Sequence, residues 1–387
     1  MQIRKVFVLT ALSLMGLAAC GGSTPSGASD ADVVAEVAKK GAIACWADTG
    51  GVISTAMTNE AYGAHSPVLA TKYTVQLNGQ KYEANLSWTG FKAEEWKQYD
   101  ADATHVSLLP VRPLKGQAAL SLTMAPTITY GKESISGPTY KFVCPAYDVE
   151  FVDYALADLA DAFYVKKTVK TNDMVRIHGW VTNWYDNYGN VFVQDGDYSI
   201  QLYKASAFKS FYKVGNHVDV VGQIVDYNGL EFSGTVQDVS FSTKEIAAWT
   251  KGAVTKAVCD ELSSGNKSKK LWNNYYEGTA TAIVWEYNEQ FGTTDDEKVS
   301  PINWYKYDGS KKEKPDTLML QTDDGGKFAI YLKSSNMGST GYEKACEFIK
   351  TLKVGDKVSY KGPITYYSGG SLVEINLASA DNLAKVS

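Results

Sequence analysis

Lys213-Val214-Gly215, Val218, Gly222, Ile224, Tyr227 and Gly229 recur 140 residues later as Lys353-Val354-Gly355, Val358, Gly362, Ile364, Tyr367 and Gly369. Eight identities over 17 positions, with no insertion, mark a duplicated folding unit. Around the first copy the side chains alternate as they do in strands. Val175, Ile177, Gly179 and Val181 are expected to face inward, and Arg176, His178, Trp180 and Thr182 outward. A turn at 188–190 leads to Val191-Phe192-Val193-Gln194, and Asp195-Gly196 makes a hairpin into Tyr198–Tyr203. Ala205 to Tyr212 reads as a short helix, His217 to Asp226 as a fourth strand, and a fifth runs to Phe241. In the second copy Leu318–Gln321 replaces Val191–Gln194, and Phe328–Leu332 replaces Tyr198–Leu202.

Three meander strands, a small helix and two more strands is the element order of the five-stranded OB-fold barrel. The runs Gly-Trp-Val-Thr, Val-Phe-Val-Gln-Asp and Lys-Val-Gly…Val…Gly-x-Ile over 174–241 resemble OB-fold modules of secreted bacterial nucleases and surface lipoproteins. The copies differ most between strands one and two. A few residues in the first become roughly 30 in the second, Tyr287 to Thr317, carrying Trp304, Tyr305 and Tyr307. Such a loop is either a solvated insertion or a binding loop.

The N-terminus predicts an address. Arg4-Lys5, an apolar run from Val6 to Leu14 and Leu17-Ala18-Ala19-Cys20 make a secretory signal too short to span a bilayer. Leu-Ala-Ala-Cys resembles the lipobox of bacterial lipoproteins, which implies a lipid on Cys20 and an extracytoplasmic protein anchored to a bacterial membrane. Residues 21–31 form a Gly/Ser/Pro-rich tether. Residues 32–147 read as helix-like at first, then as short strands with an Asn78-Gly79 hairpin. Val111-Arg112-Pro113, Ala119–Thr123, Ile128–Gly131, Tyr140–Val143 and Ser87-Trp88 resemble an atrophied bacterial Ig-like domain, in which Pro126 would interrupt a strand. The expected architecture is all-β: an Ig-like sandwich, a first OB-fold domain at 148–245 with an entry helix, and a second at 246–387 with a linking helix near 246–262.

Cys45, Cys144, Cys259 and Cys346 permit two disulfides in an oxidising compartment, with three possible pairings, or remain buried thiols. His65, His105, His178 and His217 match no zinc, protease or nuclease spacing, and no nucleophile elbow or P-loop is present. Asp323-Asp324-Gly325-Gly326 fits a hairpin turn better than a cation loop. No cofactor, metal or enzymatic activity is therefore expected.

Binding is the better expectation. The chain has 25 Tyr, 9 Trp and 13 Phe, and OB-folds bind on strands two and three with the flanking loops. That selects Trp184, Tyr185, Tyr188, Phe192, Tyr203 and Tyr227 in the first copy, with Gln194 beside them. In the second it selects Trp285, Tyr287, Trp304, Tyr305, Tyr331 and Tyr367, with Tyr366 alongside. Such rings stack on bases or sugars. Charge weighs against a phosphate-following groove. Residues 165–241 hold 7 Lys/Arg against 8 Asp/Glu, and residues 277–383 hold 12 against 16. Single-stranded nucleic acid or an oligosaccharide is the expected ligand. An envelope protein that contacts other proteins, or a hydrolase with an unrecognised site, are the alternatives.

Overall fold

The computed structural model describes residues 27–39, 44–46, 67–101, 103–185, 189–227, 229–265, 269–306, 308–367 and 371–386. The signal segment with Cys20, most of the tether, Tyr188 and Tyr307 lie outside them, as does the side chain of Cys45. Two compact units divide the chain, Met1–Val149 and Glu150–Ser387.

The first unit opens with α1 (Asp30–Lys39), whose Val33, Val34 and Val37 form one buried stripe. Ser29 and Asp32 cap it: the Ser29 hydroxyl donates to the Asp32 carboxylate at 2.6 Å, and the Asp32 N–H donates back to Ser29 Oγ at 3.2 Å. The helix packs on the antiparallel sheet of β3 (Lys72–Leu77), β4 (Gln80–Ser87), β8 (Thr127–Tyr130) and β9 (Glu133–Ser136). A second sheet joins β1 (Ala44–Trp46), β2 (Pro67–Ala70), β6 (His105–Pro110) and β5 (Trp96–Ala101), and β7 (Leu120–Met124) pairs with β10 (Tyr140–Cys144). Leu69, Trp96, Leu108, Ile128 and Phe142 from these three sheets share one core. Pro126 interrupts no strand. It stands between β7 and β8, where the chain leaves one sheet for another and no ladder N–H is lost.

The second unit holds two closed barrels. In the first, β12 (Met174–Tyr185), β13 (Asn190–Asp195), β14 (Tyr198–Tyr203), β16 (Leu230–Phe241) and β15 (His217–Asp226) neighbour one another in that order, and β12 pairs with β15 to close the ring. Only the β14–β16 pairing within the ring is parallel. In the second, β17 (Tyr275–Ala282), β18 (Thr317–Gln321), β19 (Lys327–Tyr331), β21 (Leu372–Asn376) and β20 (Lys357–Tyr367) repeat the order, the closure and the single parallel pair, β19–β21. Strand order 1-2-3-5-4 closed on strand 1 is the OB-fold. Short edge strands extend each ring: β11 (Val152–Tyr154) beside β12, and β22 (Leu383–Lys385) beside β20.

The duplicated residues explain why both rings close alike. Gly215 and Gly355 adopt φ of +90° and +91°, a region that favours glycine. Their N–H groups donate to Val181 O and Ala282 O, at 2.8 and 2.9 Å. Further along, Ile224 and Ile364 each exchange two backbone hydrogen bonds with the segment that enters strand one, at Asn172/Asp173 and Asn273/Asn274. Gly222 and Gly362 leave room where the strand bends: a Cβ at Gly222 would meet the Phe232 ring at 2.9 Å, and one at Gly362 would meet Asn376 O at 2.4 Å.

The linking helices are shorter than expected. α2 (Leu156–Ala160) runs into a π turn, Asp161–Val165, and buries Leu156, Leu159 and Phe163 as their spacing predicts. The helix expected at 246–262 is only α3 (Lys256–Ser263), capped by Thr255, with 242–255 non-helical before it. Between β14 and β15 a 3-10 turn, Ser206–Phe211, replaces a helix, whereas the second barrel carries α6 (Ser334–Ile349) there. The long insertion between β17 and β18 contains α4 (Glu286–Phe291) and α5 (Asp295–Lys298). Asn288, fully buried, ties it together by donating from Nδ2 to Ser300 O and Ile302 O at 3.0 and 2.6 Å. Cys259 and Cys346 are free thiols in the second barrel's core, so no bridge joins them. Burial pushes the Cys259 thiol up to about 12, which leaves it unreactive.

Candidate functional site

The outer surface of β13 and β14 was the expected ligand face of the first barrel. Instead the second barrel covers it. Tyr185 is 3% exposed and its phenol donates to Asn376 O, at the end of β21, at 3.0 Å. Phe192, 3% exposed, packs edge-on against Tyr185 with ring centroids 5.2 Å apart. Gln194 accepts from Tyr275 N at 3.0 Å, and Asp197 O accepts from Leu271 N at 2.8 Å. Tyr185 is therefore an inter-barrel contact, and Phe192 is buried against it, so neither ring is open to a ligand. The face also buries Glu231, whose carboxyl the loss of water pushes up.

A β-bulge at Thr182, between the pairs Val181↔Val193 and Asn183↔Phe192, redirects the end of β12. Trp184 is half-buried there, edge-on to Tyr212 at 6.2 Å. Tyr203 is half-buried with the Lys204 ammonium 5.1 Å from its ring centroid, and Tyr227 stands 68% exposed at the β15–β16 turn.

Two of the second barrel's six candidates are also internal. Trp285 and Tyr305 are 5% and 3% exposed. The Tyr305 phenol donates to Glu297 Oε2 at 2.7 Å, and Glu297 also accepts from Thr293 and Lys311. Those donors hold the Glu297 carboxyl well below the usual range. Trp304, half-buried, donates from Nε1 to Ser300 Oγ at 3.2 Å, while Tyr287 is half-buried against Trp285 at 6.0 Å. The insertion's rings hold the insertion together, so the aromatic binding loop is not what its structure builds.

The remaining two candidates, Tyr331 and Tyr367, lie on β19 and at the β20–β21 turn. Tyr331 is half-buried with the Lys333 ammonium 4.9 Å from its ring centroid. Tyr367 is 56% exposed, whereas Tyr366 beside it packs on the core, edge-on to Trp272 at 6.4 Å. Burial, with Asp316, Glu374 and Tyr367 nearby, raises the Tyr331 phenol. Glu374 pairs with Ala329 on one side and Thr365 on the other, and burial pushes its carboxyl up to about 7 against the pull of Lys333 and Lys312. Asp316 is held by Lys312 at 2.7 Å. Sequence reasoning missed Glu374 and Lys333, although Leu-Glu-Phe at 230–232 and Val-Glu-Ile at 373–375 put a glutamate at the same place in strand five of both copies.

Among the described residues no group of three or more His, Cys, Asp or Glu is placed to hold a metal ion. No protein-family model and no curated protein matches the chain. Three solved structures show what it is similar to. The p204 HINb domain shares 11% identity, covering 56% of this chain and 98% of that one, with a TM-score of 0.27. A murine DNA-binding protein bound with double-stranded DNA shares 10%, covering 56% and 97%, at 0.30. The single-stranded DNA-binding protein of Thermus aquaticus shares 9%, covering 57% and 95%, at 0.19. At such TM-scores the likenesses carry no weight, and the OB-fold assignment rests on strand order and closure.

Proposed function

We propose that this chain is a non-enzymatic binding protein that takes a single-stranded nucleic acid on the outer face of its second barrel. One observation carries the reading: in a closed five-stranded barrel, Tyr331 and Tyr367 lie near each other with ring surface accessible, and the Lys333 ammonium is 4.9 Å from the Tyr331 ring centroid. Ring faces for bases with a cation for the backbone is how sequence-tolerant single-strand binders work. The first barrel acts as a brace, because its own face is spent on the second. The lipobox-like Leu17-Ala18-Ala19-Cys20 supports a lipid anchor on Cys20 at a bacterial membrane, with the Ig-like first unit as a spacer.

Glu374 favours a second reading on the same face. A carboxylate beside tyrosine rings repels phosphate but accepts from sugar hydroxyls, so an oligosaccharide fits it. Fluorescence anisotropy with single-stranded oligonucleotides and a glycan array separate the two. Tyr331→Ala or Tyr367→Ala is expected to weaken binding about 5- to 150-fold, at ~1–3 kcal/mol per stacked ring. Unchanged affinity in both variants, or no binding in either library, would sink the reading.

A further inference from the structure

A polar cleft of about 520 Å³ opens between the two barrels, lined by neither Tyr331 nor Tyr367, and its size falls in the ~300–1,000 Å³ range of small-molecule sites. Asn183 and Trp184, redirected by the Thr182 bulge, line the first barrel's side. Lys251, Glu277, Asn336 and Lys361 line the other. Asn183 is 8% exposed, and neither its Nδ2 nor the Trp184 Nε1 has a hydrogen-bond partner. Both nitrogens are closed to solvent, which leaves Asn183 its Oδ1 to present to the cleft.

Charge narrows the ligand. Glu277 pairs with Lys251 at 3.2 Å and stands directly across the β17–β20 ladder from Lys361. One carboxylate between two ammonium groups leaves a single positive charge. Asp381, near Lys361, is already held by Lys344 at 2.7 Å. Among the described residues no arginine lines the cleft, so they offer no bidentate fork suited to a phosphate dianion. The Asn183 Oδ1, which accepts, and the Asn336 amide, which both donates and accepts, suit hydroxyl groups.

We infer that the cleft between the barrels binds an acidic sugar, its carboxylate at Lys361 and its hydroxyls at Asn183 and Asn336. The inference stands apart from the tyrosine face. The test is isothermal titration of the full chain with D-glucuronate, D-glucose and inorganic phosphate. Glucuronate is expected to bind saturably and about tenfold more tightly than glucose, as one charge-assisted contact allows. Lys361→Gln, at an exposed position, should erase that difference. Asn183→Ala should weaken both sugars, and Tyr331→Ala should alter neither. Equal binding of glucose and glucuronate to the unaltered chain overturns the inference without recourse to any variant. So does competition by phosphate, no saturable binding, or a ratio that survives Lys361→Gln.

Discussion

Removing one oxygen tests whether the first barrel's face is an interface. Tyr185→Phe keeps the ring that packs on Phe192 and deletes the phenol that donates to Asn376 O at 3.0 Å. Both residues are buried, at 3% and 7% exposure, so water cannot replace the lost donor. A neutral bond whose remaining partner stays buried is worth about 1–2 kcal/mol. For a unit spanning Glu150–Ser387 that corresponds to a Tm lower by roughly 2–8 °C. Differential scanning calorimetry reads it directly. A double-mutant cycle with Gln194→Leu adds a second readout, because Gln194 accepts from Tyr275 N across the same interface and the two losses should couple. Burial also pushes the Tyr185 phenol well above its ordinary value. In a spectrophotometric titration the variant should therefore lose a tyrosine from the fraction that resists ionisation, and none from the fraction that titrates near 10. An unchanged Tm together with weakened oligonucleotide binding would refute the interface and return Tyr185 to the ligand face.

Glu374 makes the second barrel's stability depend on pH. Its folded value, about 7, lies above its ordinary 4.5, so the folded state binds the proton more tightly. The stabilisation is full below 4.5 and is lost as pH rises through 7, up to about 3 kcal/mol at 1.36 kcal/mol per unit. Glu374→Gln should flatten Tm between pH 5 and 8, and an unflattened profile would place the titration elsewhere. The two repeated glycines should respond differently to alanine. Gly362→Ala drives a Cβ to 2.4 Å from Asn376 O and should cost about 2–3 kcal/mol in urea denaturation. Gly355→Ala meets no atom within 4 Å and bears only the strain of φ +91°, about 1 kcal/mol. Equal losses would mean that the close approach to β21 is not what Gly362 serves.

The barrels were legible because their determinants are local. Gly215 and Gly355 need a positive φ, Gly222 and Gly362 need space, and alternation at 175–181 decides which side chains fill the ring. These demands act within one strand or between neighbours, so they leave a pattern at fixed spacing. The site was not legible, because what covers an outward row is a tertiary fact. Phe192 and Gln194 alternate with Val191 and Val193 whether solvent, a ligand or another barrel lies above them. Likewise, Trp304 and Tyr305 look like binding residues until Asn288 and Glu297, 8 to 16 positions away, take them inward. One local signal was readable. Asn183 is a poor strand former in the middle of Gly-Trp-Val-Thr-Asn-Trp, and such a residue marks the bulge that turns Asn183 and Trp184 toward the cleft. Exposed rings in duplicated barrels therefore need sorting by which copy braces the other. Here the copy with the short strand one–two loop has its face buried, while the copy with the long insertion keeps Tyr331 and Tyr367 accessible.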